Sequence, residues 1–237
     1  MSKIIITGAT GRIGSACLAR CLSHPAVHLI VALTRRPIDS PEAGNPKLKN
    51  LIVSDFSTLS EDVLAELEGA NACIWSLGQN SEGDPQMEER EHVWPMAAAR
   101  LFAEKLAPLS TPTPFRFVLM SGQFVLHSNA DPNASLWFFT QARKTKGRTS
   151  RAIIGMQGKF PNFESFAVRP GGVITDDNWT PNLVVAALSL IRRGDLAAAV
   201  VDIALNGGQQ RLFECGELRS KGIQEREELL ATSPTKL

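Results

Sequence analysis

Short runs of β-branched and apolar residues alternate along this chain with stretches whose apolar residues recur at helical spacing. Lys3–Thr7 (KIIIT), Val27–Leu33 (VHLIVAL), Leu51–Val53, Ala72–Ser76, Phe115–Ser121 (FRFVLMS) and Glu164–Arg169 read as strands. Between them, Arg12–Leu22, Leu59–Leu67, Met87–Leu106 and Leu136–Met156 place apolar residues three and four apart, which predicts helices. The third of these is interrupted near Pro95. Farther on, Leu183, Val184, Ala187, Leu188 and Ile191 share one helical face, and Leu196, Ala199, Val200 and Ile203 share another. A short strand at Arg211–Glu214, a weakly amphipathic helix near Gln224–Leu230 and a frayed tail at Thr232–Leu237 complete the pattern.

Strands alternating with helices imply βαβ units, and therefore a parallel sheet covered on both faces. The expected class is α/β, a doubly wound parallel sheet in a single domain. Residues 173–231 form a small C-terminal extension expected to contribute to the substrate cleft. The 237 residues suit one domain, and Ser40–Asn50 and Thr111–Pro114 read as surface loops, not linkers.

Composition narrows the function classes. The chain is 43% hydrophobic and 21% charged, with a formal net charge of +1. That balance offers no electrostatic reason for a nucleic acid or an anionic membrane as partner. No run approaches the ~18 apolar residues that a membrane span needs. Ile4–Ile6 is followed at once by glycines, unlike a secretory leader, so a soluble cytoplasmic protein is the expectation. Cys17 and Cys21 stand at helical i,i+4 spacing in an apolar stripe with Ile13, which reads as a pair of core thiols; no second pair accompanies them to complete a zinc site.

The turn after the first strand is the strongest local signal. Gly8, Gly11 and Gly14 recur three apart in Gly8-Ala9-Thr10-Gly11-Arg12-Ile13-Gly14. One glycine permits a sharp strand-to-helix turn, one lets backbone approach a pyrophosphate, and one lets helix and sheet pack closely. The helix N-terminus then presents free N–H groups to phosphates. A nicotinamide dinucleotide is the ligand expected there, bound by Gly8, Thr10, Gly11, Arg12, Ile13 and Gly14. The second strand ends in Thr34-Arg35-Arg36, where NAD-preferring sites carry an acidic residue for the ribose 2′-hydroxyl. Arg35 and Arg36 suit a 2′-phosphate, so NADP(H) is expected over NAD(H). Asp55-Phe56 follows the third strand; the carboxylate there serves either the adenine amino group or a local turn. Leu77-Gly78, after the fourth strand, is placed near the middle of the cofactor or is a plain turn.

With these features the chain resembles the short-chain dehydrogenase/reductase superfamily. The match is to its atypical branch, which includes the Tat-interacting-protein-like oxidoreductases and the NmrA-like regulators. The resemblance rests on Thr7–Gly14, Arg35, Asp55, Ser121-Gly122 and Val168-Arg169-Pro170-Gly171, with Gly194-Asp195-Leu196-Ala197 resembling a later helix start that Asp195 would cap. It implies a Rossmann fold, a carbonyl/alcohol redox reaction and a Ser–Tyr–Lys catalytic set. Pro170 and Gly171 would then border the cofactor, Ser121 would take the serine position and Lys146 the lysine position, with Lys144 as the alternative.

The chain departs from that pattern at one point. It contains no tyrosine, and the position four before Lys146 is Ala142. Proton transfer must then come from Ser121, from a lysine, from His127 or from water. Each also has a structural reading, as a strand-end turn, a solvated helix face or a loop histidine. Trp137, Phe138, Phe139 and Trp179 fall in segments that should border the cleft and suggest an apolar small-molecule substrate. Residues 80–91 form an acidic insert that reads as a surface loop. Three functions stay open: an NADP(H)-dependent oxidoreductase acting on a small apolar carbonyl or enone, a non-catalytic NADP(H)-sensing or protein-binding module, and a redox-neutral isomerase or dehydratase. Oligomeric state is left open.

Overall fold

Each helix between two strands returns the chain to the same edge of the sheet, so successive strands run parallel. A computed structural model describes residues 1–78, 84–123 and 140–232 and shows this arrangement. The strands are β1 (Ser2–Thr7), β2 (Val27–Thr34), β3 (Leu48–Ile52), β4 (Ala72–Trp75), β5 (Phe115–Met120), β6 (Phe163–Arg169), β7 (Gly172–Ile174), β8 (Leu190–Arg192) and β9 (Leu212–Glu214). The helices are α1 (Arg12–Ser23), α2 (Glu61–Leu67), α3 (Trp94–Lys105), α4 (Thr140–Ile154), α5 (Asn182–Ala187), α6 (Arg193–Asn206) and α7 (Cys215–Thr232). Seven strands form one parallel sheet in the order β3-β2-β1-β4-β5-β6-β9, and β7 and β8 pair separately. Among the described residues no helix is long and apolar enough to cross a membrane.

Strand alternation sends neighbouring side chains to opposite faces. Ile4 and Ile6 join Cys17, Leu18 and Cys21 of α1 and Leu196, Val200 and Ile203 of α6 in one core. Ile5 faces the other way, into a core rich in aromatic rings that holds Phe56, Trp75, Trp94, Phe102, Phe115 and Phe117. Cys17 and Cys21 are fully buried free thiols, as their spacing suggests. Burial pushes the Cys17 thiol up to about 12.

Several boundaries differ from the sequence pattern, each for a tertiary reason. β3 begins at Leu48, three residues earlier than expected, because it takes its register from β2, with Ile30 opposite Leu48 and Thr34 opposite Ile52. The apolar face from Leu183 to Ile191 is not one helix. Ser189 adopts a left-handed conformation (φ 53), and Leu190–Arg192 then pairs with β7. Leu183 and Leu188 are consequently 82% and 64% exposed, whereas Val185 and Ile191 are buried. Asp195 does not cap α6, which begins two residues before it; the Gly194 N–H donates instead to Asp176 Oδ1 at 2.9 Å, and Asp195 accepts from Arg226 at 2.8 Å. The last helix starts at Cys215, well before Gln224.

Pro95 does interrupt its helix, in a specific way. The segment is helical from Met87 onward, but Glu89–Val93 widens into a π-turn before α3. Proline has no N–H to donate to the carbonyl four residues back, that of Glu91. The Thr149 hydroxyl of α4 donates to that carbonyl at 2.7 Å. The insert is thus not simply a surface loop: Glu91 is 6% exposed. The Thr145 carbonyl also lies 2.9 Å from the Thr149 hydroxyl. That hydroxyl has one proton and two carbonyls competing for it, so His92 Nδ1, 2.9 Å away, is the donor in their contact.

Two outcomes follow for the α3–α4 junction. Thr149→Val is expected to remove the hydroxyl that donates to the Glu91 carbonyl and cost about 1–3 kcal/mol in urea denaturation, while Thr149→Ser stays near wild type. His92 titrates below its ordinary 6.5 because it is desolvated, with repulsion from Arg148 adding to the effect. The unfolded chain therefore takes up this proton before the folded chain does, and stability is lost as pH falls through that value. The fall in urea midpoint between about pH 7.5 and about pH 5.5 is expected to be smaller in His92→Asn than in wild type.

Candidate functional site

In a doubly wound sheet, ligands gather where the strand order reverses, outside the carboxyl ends of the strands. Here β2 and β3 lie on one side of β1, and β4, β5 and β6 lie on the other. The crevice therefore falls between β1 and β4.

The glycine turn is built at that crevice by close backbone approaches. Gly8 has a left-handed φ of 67°, and a Cβ there would stand 2.6 Å from the Ser76 carbonyl oxygen beyond β4. A Cβ on Gly14 would stand 2.0 Å from the Gly8 carbonyl oxygen. The Gly11 N–H closes the turn on that same oxygen at 2.9 Å, and the Ser76 hydroxyl ties β4 to β1 by donating to the Thr7 carbonyl at 2.6 Å. α1 begins after Gly11, its N-cap, with no side-chain cap and no acidic residue in its first turn. Its first N–H groups and the positive end of its dipole are left for an anion. Thr10, Gly11 and Arg12 are exposed there, Ile13 is half-buried and Gly14 is buried. Backbone without a Cβ beside an uncapped helix end fits a pyrophosphate.

Arg35 and Arg36 lie exposed just past β2. Their loop is shaped by Asn50 of β3, which the sequence pattern did not single out. Asn50 Nδ2 donates to the Thr34 hydroxyl at 2.7 Å and to the Ala32 carbonyl at 3.1 Å, and its Oδ1 accepts from the Ile38 N–H at 2.9 Å. The Thr34 hydroxyl in turn donates to the Arg36 carbonyl at 2.7 Å. The signal for Asn50 was an amide placed just before the apolar pair Leu51-Ile52.

Asp55 takes part in its own turn. It accepts from the Ser57 N–H at 2.8 Å, the Ser57 hydroxyl at 2.6 Å and the Thr58 hydroxyl at 3.0 Å. The Ser57 hydroxyl, followed by the Ser57 N–H, holds its carboxyl below the usual range. The Phe56 ring is buried against Trp75 and Trp94, at 5.9 and 5.2 Å, and so belongs to the aromatic core.

Beyond β4 the edge continues as a chain of contacts. Leu77 is half-buried beside Gly8, and Gly78 abuts Glu91: a Cβ on Gly78 would stand 2.8 Å from Glu91 Oε1. That oxygen lies 3.5 Å from Lys146 Nζ, in an ion pair whose side chains are only 6% and 13% exposed. Lys144 is two positions away on α4, and so on the opposite side of the helix. Ser121, at the end of β5, is 7% exposed, and its Oγ is 2.8 Å from that of Ser150, one turn beyond Lys146. The Ser150 hydroxyl also lies 2.8 Å from the Lys146 carbonyl. Pro170 and Gly171 are pinned on the same edge: the Gln123 N–H donates to the Pro170 carbonyl at 2.8 Å, and a Cβ on Gly171 would stand 1.8 Å from the Ser189 carbonyl oxygen. His127, Trp137, Phe138 and Phe139 lie outside the described residues.

The structure thus lines up Gly8, Leu77, Gly78 and Lys146 along one edge. It adds Asn50, Glu91 and Ser150, none of which the sequence marked. An anion cradle at one end and a partly desolvated ammonium–carboxylate pair toward the other can hold a phosphorylated ligand and place an N–H donor near its far part.

No protein-family model matches the chain. Over 102 residues it is 36% identical to leucinostatins biosynthesis cluster protein T of Purpureocillium lilacinum, a match covering 42% of this chain and 37% of that relative. The match therefore spans little more than a third of that relative's length. A short-chain dehydrogenase from Burkholderia cenocepacia, solved in complex with NADP, is similar over 99% of this chain and 98% of its own, with a TM-score of 0.68 and 17% identity. The dTDP-glucose 4,6-dehydratase of Bacillus anthracis, solved with NAD, is similar over 90% of this chain and 75% of its own, with a TM-score of 0.65 and 12% identity. At such identities the likeness is one of architecture. This chain has the Rossmann fold of the short-chain dehydrogenases/reductases and related NAD(P)-binding proteins.

Proposed function

We propose that the protein is an NADP(H)-dependent oxidoreductase acting on a small apolar carbonyl or enone without a catalytic tyrosine, within the atypical branch that it resembles. The observation carrying this reading is the unbroken edge from the glycine turn, through Leu77 and Gly78, to the Glu91–Lys146 pair. Backbone at Gly8, Thr10, Gly11, Arg12 and Ile13 holds the pyrophosphate, with Gly14 letting α1 approach. Arg35 and Arg36 pair with the 2′-phosphate, Asp55-Phe56 flank the adenine, and Pro170-Gly171 border the nicotinamide end. The bound dinucleotide supplies hydride chemistry. Lys146 supplies an N–H donor there, and the buried Ser121–Ser150 pair fixes the strand end against α4.

Two further observations support the substrate class. Trp179, Leu183 and Leu188 are 89%, 82% and 64% exposed, in a segment that Gly171 and Ser189 latch to the carboxyl end of β6. An exposed apolar wall on residues 173–231 suits an apolar molecule. The relative belonging to a biosynthesis cluster supports a small molecule as substrate. A second reading, cofactor binding without turnover, is favoured by the complete absence of tyrosine.

Fluorescence titration is expected to show NADPH binding at least about tenfold tighter than NADH, since a charge-assisted contact contributes about 1.5–3 kcal/mol. Arg35→Ala is expected to remove most of that preference while leaving NADH unchanged, and Asn50→Ala to weaken it in the same direction. Equal affinities in the wild type would refute the NADP(H) assignment. A panel of apolar aldehydes, ketones and enones then separates the two readings: tight NADPH binding with no oxidation of it favours the sensor.

A further inference from the structure

Glu91 is an unusual residue to find where it is. A carboxylate is seldom buried unless something opposite it is charged. Its burial here is built by three independent features. The π-turn at Glu89–Val93 rotates Glu91 inward just ahead of Pro95. Thr149 of α4 donates to the Glu91 backbone carbonyl at 2.7 Å and locks that turn to α4. The missing Cβ of Gly78 leaves the space that Glu91 Oε1 occupies. The result is a carboxylate aimed at Lys146 Nζ, 3.5 Å away, at the carboxyl ends of β4 and β5.

We propose that Glu91 is the positioning residue for Lys146, holding its Nζ at the carboxyl ends of β4 and β5 so that the site has an N–H donor in a fixed place where no tyrosine is present. This inference rests on the oxidoreductase reading above. A charge pair held away from water is screened little, so the Glu91 carboxylate fixes where the Lys146 ammonium stands. In a carbonyl reduction, the carbon accepts hydride from the reduced dinucleotide and the C–O π pair moves to oxygen. That oxygen takes one N–H proton from Lys146, and the amine left behind regains a proton from water.

The other charged and titratable groups around the pair are accounted for elsewhere. Arg148 is ion-paired with Glu88, and Arg90 with Asp84 at 2.8 Å. His92 contacts Thr149 and titrates low through desolvation. Arg143 and Lys144 are half-buried on α4, on turns of the helix next to Lys146. Among the described residues, Glu91 is the carboxylate placed within ion-pair distance of Lys146.

The test reads Lys146 directly in cofactor-free protein, by its acetylation rate with N-hydroxysuccinimidyl acetate at about pH 8, followed by peptide mass spectrometry. The exposed Lys159 serves as internal control. Glu91→Gln, which frees Nζ from its ion pair, is expected to speed acetylation of Lys146 by about threefold or more, with Lys159 unchanged. Glu91→Asp, which keeps the charge but shortens the reach, is expected to fall between Gln and wild type, and it carries the test if the Gln variant does not fold. In the reduction assay Glu91→Gln is expected to lower kcat about tenfold or more because Nζ loses the carboxylate that holds it in place, with the NADPH Kd changed less than about threefold. Equal Lys146 rates in wild type, Gln and Asp would overturn the proposal, as would full kcat in the Gln variant. A wild type that binds no NADPH would instead sink the oxidoreductase reading, while the labelling still decides whether Glu91 governs Lys146.

Discussion

The closeness of three backbone segments at the carboxyl ends of β1 and β4 is the constraint on which the rest of the site depends. Gly14 packs onto the Gly8 carbonyl, and Gly8 packs onto the Ser76 carbonyl, with no room for a Cβ at either position. This brings α1 close over the sheet and aims its uncapped N-terminus into the crevice where the strand order reverses. It also fixes the start of the β4 loop, so that Leu77 and Gly78 continue the same wall. The close approach that packs the helix is the same one that leaves its uncapped N-terminus open at the crevice.

The opposite wall has a different origin. The first turn of α3 carries Pro95, which has no N–H to donate to the Glu91 carbonyl four residues back. The chain meets this with a π-turn and a hydroxyl from α4. The same adjustment swings Glu91 inward, toward Gly78 and Lys146. A backbone defect repaired by a neighbouring helix thus becomes the means by which a buried ion pair is placed at the strand ends. The Ser121–Ser150 contact, one helical turn farther along α4, ties β5 to the same helix and keeps the pair in register with the sheet.

Other parts of the site are held by polar side chains within strands. Asn50 would weaken an isolated strand by competing for backbone groups. In the sheet it satisfies the Ala32 carbonyl, the Thr34 hydroxyl and the Ile38 N–H together, and so holds the loop carrying Arg35 and Arg36. Asp55 is drawn into a local turn by Ser57 and Thr58, and its carboxylate is engaged there.

The sequence alone determined the parallel sheet, the glycine turn and most of the element order, because these rest on periodicity and on conformational needs that a few neighbouring residues express. Ile4–Ile6 reads as a strand buried on both faces, and Gly8, Gly11 and Gly14 read as a turn, whatever lies elsewhere in the chain. It misjudged Leu183–Ile191, since periodicity marks an apolar face without saying whether protein covers it; Ser189 breaks the helix and leaves Leu183 and Leu188 bare. It passed over Asn50, Glu91, Thr149 and Ser150, each an ordinary polar residue in its own segment. Their roles exist only across the fold: Asn50 with Thr34, Glu91 with Lys146, Thr149 with the Glu91 carbonyl and Ser150 with Ser121. Only the tertiary structure decides such contacts, because a polar side chain takes its meaning from the partner that desolvation forces it to find.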